Sequence, residues 1–292
     1  MMRILLTLIL LLASSGAAAL EVVATTASMG AVTRAVGGET VNVDVLTPPD
    51  RDAHALEARP TMVRALRDAH LLVAEGADLE VGWLPAALRR AGNPDIQVGA
   101  TGYFEAAAQV ELIGQEAADR SQGHVHPAGN PHVHMDPVRM QRVAGALADR
   151  LARLDPANAD GYWKAASDFR DAVEERLPDW RRRLADHPGA ILYHKDGNYL
   201  LERFEVPVLG YAEPKPGIPP TARHIRDLVR QLEGGDGVVI HTNFQDGAAP
   251  GRLADHLGWP VVEVPLEPAI DAGTREYLDL IEDWVAALEQ AR

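Results

Sequence analysis

Four of the 11 histidines in this 292-residue chain fall within one stretch, GHVHPAGNPHVHMDP, from Gly123 to Pro137. Neutral imidazole is a good ligand for borderline-soft divalent metals, so the stretch raises the question of a metal site. Neighbouring histidines cannot surround an ion alone; ligands must also arrive from elsewhere in the chain. Two other histidines are placed to do this. His54, in LTPPDRDAHALEARP, lies in the loop after a strand-like run, and His194 closes the run AILYH. His132 sits in the histidine stretch just before a helical pattern. Ligand groups in α/β folds gather at the carboxyl ends of strands. Three imidazoles and one carboxylate make a closed tetrahedral Zn²⁺ site. The segment PLEPAIDAGT offers Asp271 or Glu267 as that carboxylate. Asp271 reads equally well as a cap for the helix that follows. His241, at the end of GVVIH, is a candidate to support the ligands from behind, whereas His70, His187, His224 and His256 read as ordinary solvated side chains.

The elements that would carry these residues alternate between strand and helix. LEVVATTA, VNVDVLTPP, AHLLVAEG and IQVGA read as short buried strands, interleaved with the helical GAVTRAVGG and RPTMVRALRDA. A helix of good period is predicted from Pro137 to Leu154, with Val138, Met140, Val143, Leu147 and Leu151 on one stripe. A second long helical region runs from Asn158 to about Ala185, where Pro178 is expected to kink or interrupt it. The strand rhythm then resumes in AILYHKD, VPVLGYAE, DGVVIHTNFQ and WPVVEVPL, with helices over TARHIRDLVRQLEG and TREYLDLIEDWVAALEQA. The pattern predicts two α/β lobes joined by a long backbone helix. The expected units are an N-terminal lobe over 20–155, a linking helix over 156–187 and a C-terminal lobe over 188–292.

The first 19 residues read as a cleavable export signal. Arg3 precedes an apolar run from Ile4 to Ala13, and small residues lead to Ala17-Ala18-Ala19. That run is short of the roughly 20 residues that span a bilayer, so no membrane anchor is expected. The chain has no Cys. Without disulfides, an exported chain must rely on its own core, and about 270 residues can supply one. The net charge of −14 argues against binding nucleic acid or anionic lipid.

Several segments together resemble a known family. TPPDRDAHALEARPTMVRAL is similar to the G-x-DPH-x-(Y/F)-E-P-x-P segment of the metal-binding solute receptors of bacterial ABC importers. NPHVHMDP resembles their DPHxWLDP, and ILYHKDGNYLLERFEV their SHxAFxYLAxRYG. AEPKPGIPPTARHIRDLVRQL and GADLEVGWLPAAL, with Trp83, also fit, so the resemblance covers nearly the whole chain after the signal. The short histidine loop is most like that of the AztC-type zinc receptors. The resemblance implies that His54, His132 and His194 are three metal ligands in a cleft between the lobes. Manganese-selective relatives carry a carboxylate at the third position, so His194 favours zinc. The chain departs from the pattern at His134, where an aromatic is usual, at Asn130, where Asp is usual, and at the fourth ligand, for which Asp271 is preferred over Glu267.

The resemblance implies a periplasmic receptor that delivers Zn²⁺ to the permease of a zinc importer, as a monomer and without catalysis of its own. A zinc donor protein in the periplasm is a further partner to expect. His124 and His126 would then form an auxiliary metal loop, with His134 as a further auxiliary candidate, and that arm, mobile when metal-free, would meet zinc early; a merely polar loop is the plainer reading. A metallochaperone or adhesin on the same scaffold, and manganese as cargo, are the alternatives. A zinc hydrolase is disfavoured, because no H-E-x-x-H motif is present and a fourth protein ligand would close the position that catalytic zinc leaves open.

Overall fold

The computed structural model describes residues 19–115 and 126–291. The N-terminal part begins β1 (Leu20–Ala24), α1 (Ala27–Gly37), β2 (Val41–Val45), α2 (Pro60–Asp68), β3 (Leu71–Ala74), α3 (Leu84–Ala91) and β4 (Tyr103–Glu105). Two helices follow, α4 (Pro137–Leu154) and the 25-residue α5 (Ala159–Arg183). The C-terminal part runs β5 (Ala190–Leu192), α6 (Asn198–Arg203), β6 (Val208–Tyr211), α7 (Ala222–Leu232), β7 (Val238–Thr242), α8 (Ala248–Leu257), β8 (Val261–Val264) and α9 (Thr274–Leu288).

The strands form two parallel sheets of the same topology, ordered β2-β1-β3-β4 and β6-β5-β7-β8. Parallel strands need helical crossovers that cover both faces, so the central strands are buried throughout: β3 (LLVA) and β7 (VVIHT) expose no residue. Both sheets turn the carboxyl ends of their strands to the ligand-bearing loops, with the order reversing at β1 and β5.

The lobes share one apolar core. Val143, Leu147 and Leu151 of α4, Phe169, Val173 and Trp180 of α5, and Tyr277, Ile281 and Trp284 of α9 join side chains of both sheets in a single buried cluster. Separate clusters lie under α2 and α3 and under α7 and α8. Of the two effects expected of Pro178, a kink or an interruption, the interruption does not occur: α5 continues through it as one helix. Its buried stripe, Phe169–Val173–Leu177–Trp180, continues across the proline and holds both halves to the same core. The fourth strand also differs from expectation. The segment IQVGA forms a turn with Val98 76% exposed, and the strand is Tyr103–Glu105 instead. Gly102 decides where it starts, since a Cβ there would lie 2.5 Å from the Asp95 carbonyl and 2.6 Å from that of His70. Among the described residues, no helix is long and apolar enough to cross a membrane.

Asp136 ties the histidine stretch to both lobes. Its buried carboxylate caps α4 through the Val138 amide (2.9 Å) and accepts from Arg139 (2.6 Å) and from Arg203 at the end of α6 (3.0 and 2.7 Å). Removing one partner from a buried ion pair strands the other charges, at a cost of about 3–5 kcal/mol. Asp136→Ala is therefore expected to lower unfolding stability by about that amount, measured by urea denaturation of the metal-free protein. A loss below about 1 kcal/mol would show that this junction does not hold the lobes together.

Candidate metal centre

Each of the three histidines is aimed by an oxygen acceptor on its own side of the cleft. After β2 the chain turns at Pro48-Pro49, and Asp52 accepts the His54 amide (2.9 Å) and its ring Nδ1 (2.8 Å). The His54 turn is pinned by Trp83, whose indole N–H donates to the Ala53 carbonyl at 2.9 Å. Burial acts to raise the Asp52 pKa, but the His54 hydrogen bonds and charge outweigh it and hold the carboxyl at about 2. Asn130 does the same for His132, accepting its amide at 3.0 Å and its Nδ1 at 2.7 Å. The Asn130 orientation follows from its partners, because its NH₂ donates to the Lys195 carbonyl at 2.8 Å. His194 leaves the end of β5, and its Nδ1 donates to Glu213 at 2.9 Å.

With every Nδ1 donating to an oxygen, every Nε2 presents a lone pair, as in histidine–metal sites with supporting acceptors. The rings meet, with centroids 5.3 Å (His54–His132), 5.7 Å (His54–His194) and 5.5 Å (His132–His194) apart. One ring nitrogen from each lies within 4.8 Å of the others. Tetrahedral zinc holds ligand nitrogens about 3.4 Å apart, so closing on an ion needs shifts in these separations of at most about 1.4 Å. The three line a cavity of about 240 Å³ together with Asp52, Asp196 and Glu267.

The remaining sequence candidates scatter. His126 joins the cluster's edge, with Nε2 3.2 Å from that of His54 and Nδ1 donating to the Ala77 carbonyl at 3.0 Å. His124 lies outside the described residues. His134 is buried and lines the same cavity, with its ring between two acids: its Nδ1 donates to Glu75 at 2.9 Å and its Nε2 lies 3.8 Å from Glu267. Burial opposes its charge, but Glu75 and Glu267 outweigh that and raise its pKa to about 9, which favours the charged ring between two carboxylates. Asp271, the preferred fourth ligand, is not brought to the three histidines. It is exposed and lies close enough to Arg34 to oppose the burial that lowers that residue's pKa, while Arg34 binds the next carbonyl, Ala272. The loop after β8 turns Glu267 inward and Asp271 out. His241, in β7, is buried with its ring against Gly247 and its Nδ1 3.2 Å from the Thr242 carbonyl.

Four acids at the site escaped the sequence reading: Asp52, Glu75, Asp196 and Glu213. Each stands past the end of a strand, Asp52 after β2, Glu75 after β3, Asp196 after β5 and Glu213 after β6. The rule that located the histidines applied equally to them.

Three imidazoles thus converge between two α/β lobes of the same topology. The chain belongs to the family described as zinc-uptake complex component A, periplasmic, whose model matches residues 22–291. It is 23% identical over 268 residues to the zinc-binding lipoprotein AdcA of Streptococcus pneumoniae, covering 88% of this chain and 53% of that protein. The chain thus spans about half the length of that relative. It is 25% identical over 248 residues to the high-affinity zinc uptake system protein ZnuA of Bacillus subtilis, covering 82% and 74% of the two chains. The manganese ABC transporter lipoprotein PsaA of Streptococcus anginosus also matches, at 22% identity over 73% and 68%. Among solved structures, the laminin-binding adhesin Lmb of Streptococcus agalactiae superposes with a TM-score of 0.77 at 22% identity, over 93% and 98% of the chains. A crystal structure of ZnuA superposes with a TM-score of 0.75 at 20% identity, over 92% and 99%.

Proposed function

We propose that this protein is a periplasmic receptor that captures Zn²⁺ between its lobes with His54, His132 and His194 and delivers it to the permease of an ABC importer. The observation that carries the reading is the arrangement of three imidazoles from separate loops. Each is fixed through Nδ1 by an oxygen acceptor, and the rings converge. Zinc is cargo here, held and released, and the chain performs no reaction on it. Family membership supports export and a permease partner. Isothermal titration of the metal-free protein with Zn²⁺ tests the core of the reading, with one tight site expected; absence of tight binding would end it.

Protons compete with zinc for the same nitrogens. At His194, burial opposes protonation, but Asp196 and Glu213 outweigh it and hold the pKa above the ordinary value of about 6.5. Zinc affinity is therefore expected to be full above that raised pKa. It should fall about tenfold per pH unit below it for each proton displaced. Competition titrations between pH 5 and 8 would read the slope; a flat profile would mean that no imidazole is displaced from its proton.

His126 acts in this reading as an auxiliary ligand that meets zinc beside His54 before the ion settles among the three. Since those three survive its loss, His126→Ala is expected to change equilibrium affinity by no more than about threefold. It should slow zinc acquisition, most visibly from a protein donor. Stopped-flow uptake and donor-transfer assays check this. A large loss of affinity would instead make His126 a principal ligand.

A further inference from the structure

A tetrahedral zinc site built on three imidazoles needs a fourth donor, and the cavity offers two buried carboxylates, Asp196 and Glu267. They are held quite differently. The Oδ2 of Asp196 accepts from the Gln245 side chain at 2.7 Å, and Gln245 is itself oriented by the Thr242 amide at 2.8 Å. This leaves Oδ1 facing the cluster, 3.5 Å from His132 Nε2 and 3.8 Å from His194 Nε2. A carboxylate oxygen and an imidazole nitrogen on one tetrahedral zinc stand about 3.4 Å apart, so Asp196 Oδ1 is already within a few tenths of an ångström of the required spacing from His132 and His194.

Glu267 is committed elsewhere. Its Oε2 accepts the Ser28 amide at the start of α1 at 2.7 Å, where the helix's free N–H groups favour an anion. Its Oε1 faces His134 at 3.8 Å, and His134 is fixed in turn by Glu75 through its ring and by the Tyr277 hydroxyl, which donates to its carbonyl at 2.8 Å. Moving Glu267 onto the metal would strip a helix N-terminus and leave the buried His134 with one carboxylate instead of two. The residue joins a C-terminal-lobe loop to two N-terminal-lobe elements, which is the geometry of a tie between lobes.

We propose that Asp196 is the fourth zinc ligand and that Glu267, held by Ser28 and His134, is an interlobe tie that stays off the metal. This rests on the zinc reading above. The test compares Asp196→Asn and Glu267→Gln, both close to isosteric, by zinc competition titration and by the visible spectrum of the Co²⁺-loaded protein. Asp196→Asn is expected to weaken zinc by tenfold or more and to alter the Co²⁺ bands. Glu267→Gln should stay within threefold of wild type with unchanged bands. Loss in Glu267→Gln with a neutral Asp196→Asn would overturn the assignment in favour of Glu267. Neutrality in both would overturn it in favour of a water. Should Asp196→Asn fail to fold, a zinc-bound crystal structure of the wild type decides: an Asp196 oxygen at ligand distance from the anomalous peak supports the proposal, and one beyond it refutes it. A wild type that binds no zinc at all is a separate result, which removes the zinc reading itself.

Discussion

Replacing His54, His132 or His194 by alanine should each lower zinc affinity by at least about a hundredfold. The magnitude follows from what each change removes. Loss of a supporting partner behind a ligand typically costs about 10–100-fold, so loss of the ligand itself must cost more. The partners give an internal scale. Asn130→Ala frees the His132 ring and removes the acceptor of its amide, and should fall in the intermediate range. Calorimetric or competition titrations of the three single mutants are the check. Wild-type affinity in all three would sink the site. A loss confined to one would show that the cluster is only partly the metal centre. Because Asp136, not His132, bonds to Arg139 and Arg203, the His132→Ala protein should stay folded, so its loss of affinity can be read as loss of a ligand.

Zn²⁺ should be preferred over Mn²⁺ by on the order of a thousandfold or more at neutral pH, because an imidazole-rich set lies on the zinc side of both ligand softness and the Irving–Williams order. The prediction has force within this family, whose matches include a zinc uptake protein and a manganese transporter lipoprotein. The chemical basis is local: three nitrogens held by Asp52, Asn130 and Glu213 leave room for one carboxylate rather than two. Competition between the two ions at a fixed zinc-chelator concentration measures the ratio directly. Comparable affinities would mean that carboxylates, with Asp196 and Glu267 both engaged, dominate the coordination. Tight Cu²⁺ binding in vitro would not bear on the question, since copper heads the same order.

Much of the molecule was legible before any coordinates. Helix α4 spans Pro137–Leu154 as its stripe of Val143, Leu147 and Leu151 indicates, because a proline at the first turn and an Asp cap mark its start locally. Among the described residues, seven of the eight strands fall within the runs that read as strands, because short apolar runs bounded by turn residues carry their own signal. The exception, IQVGA, failed because β4 is only three residues long and its start depends on Gly102 fitting between two distant carbonyls. Pro178 does not interrupt α5, because a core stripe on both sides of it overrides the local tendency of proline to end a helix.

By itself the sequence determined two α/β lobes, a chain without disulfides, and three histidines at loop or strand ends that could meet. These follow from period, turn chemistry and the rule that strand ends carry ligands, all of which act over a few residues. Only the tertiary structure decided which carboxylates accompany the histidines. Asp271 and Glu267 lie four residues apart in an irregular loop, where no periodicity tells which side chain turns inward; the chain's path puts Glu267 on Ser28 and His134 and leaves Asp271 beside Arg34. His132 and His134 are two residues apart, yet one faces the other two ligand histidines and the other a pair of buried acids. Such choices depend on groups brought together from sequence separations of tens to hundreds of residues. A buried charge goes where its partners are, and only the fold says where that is.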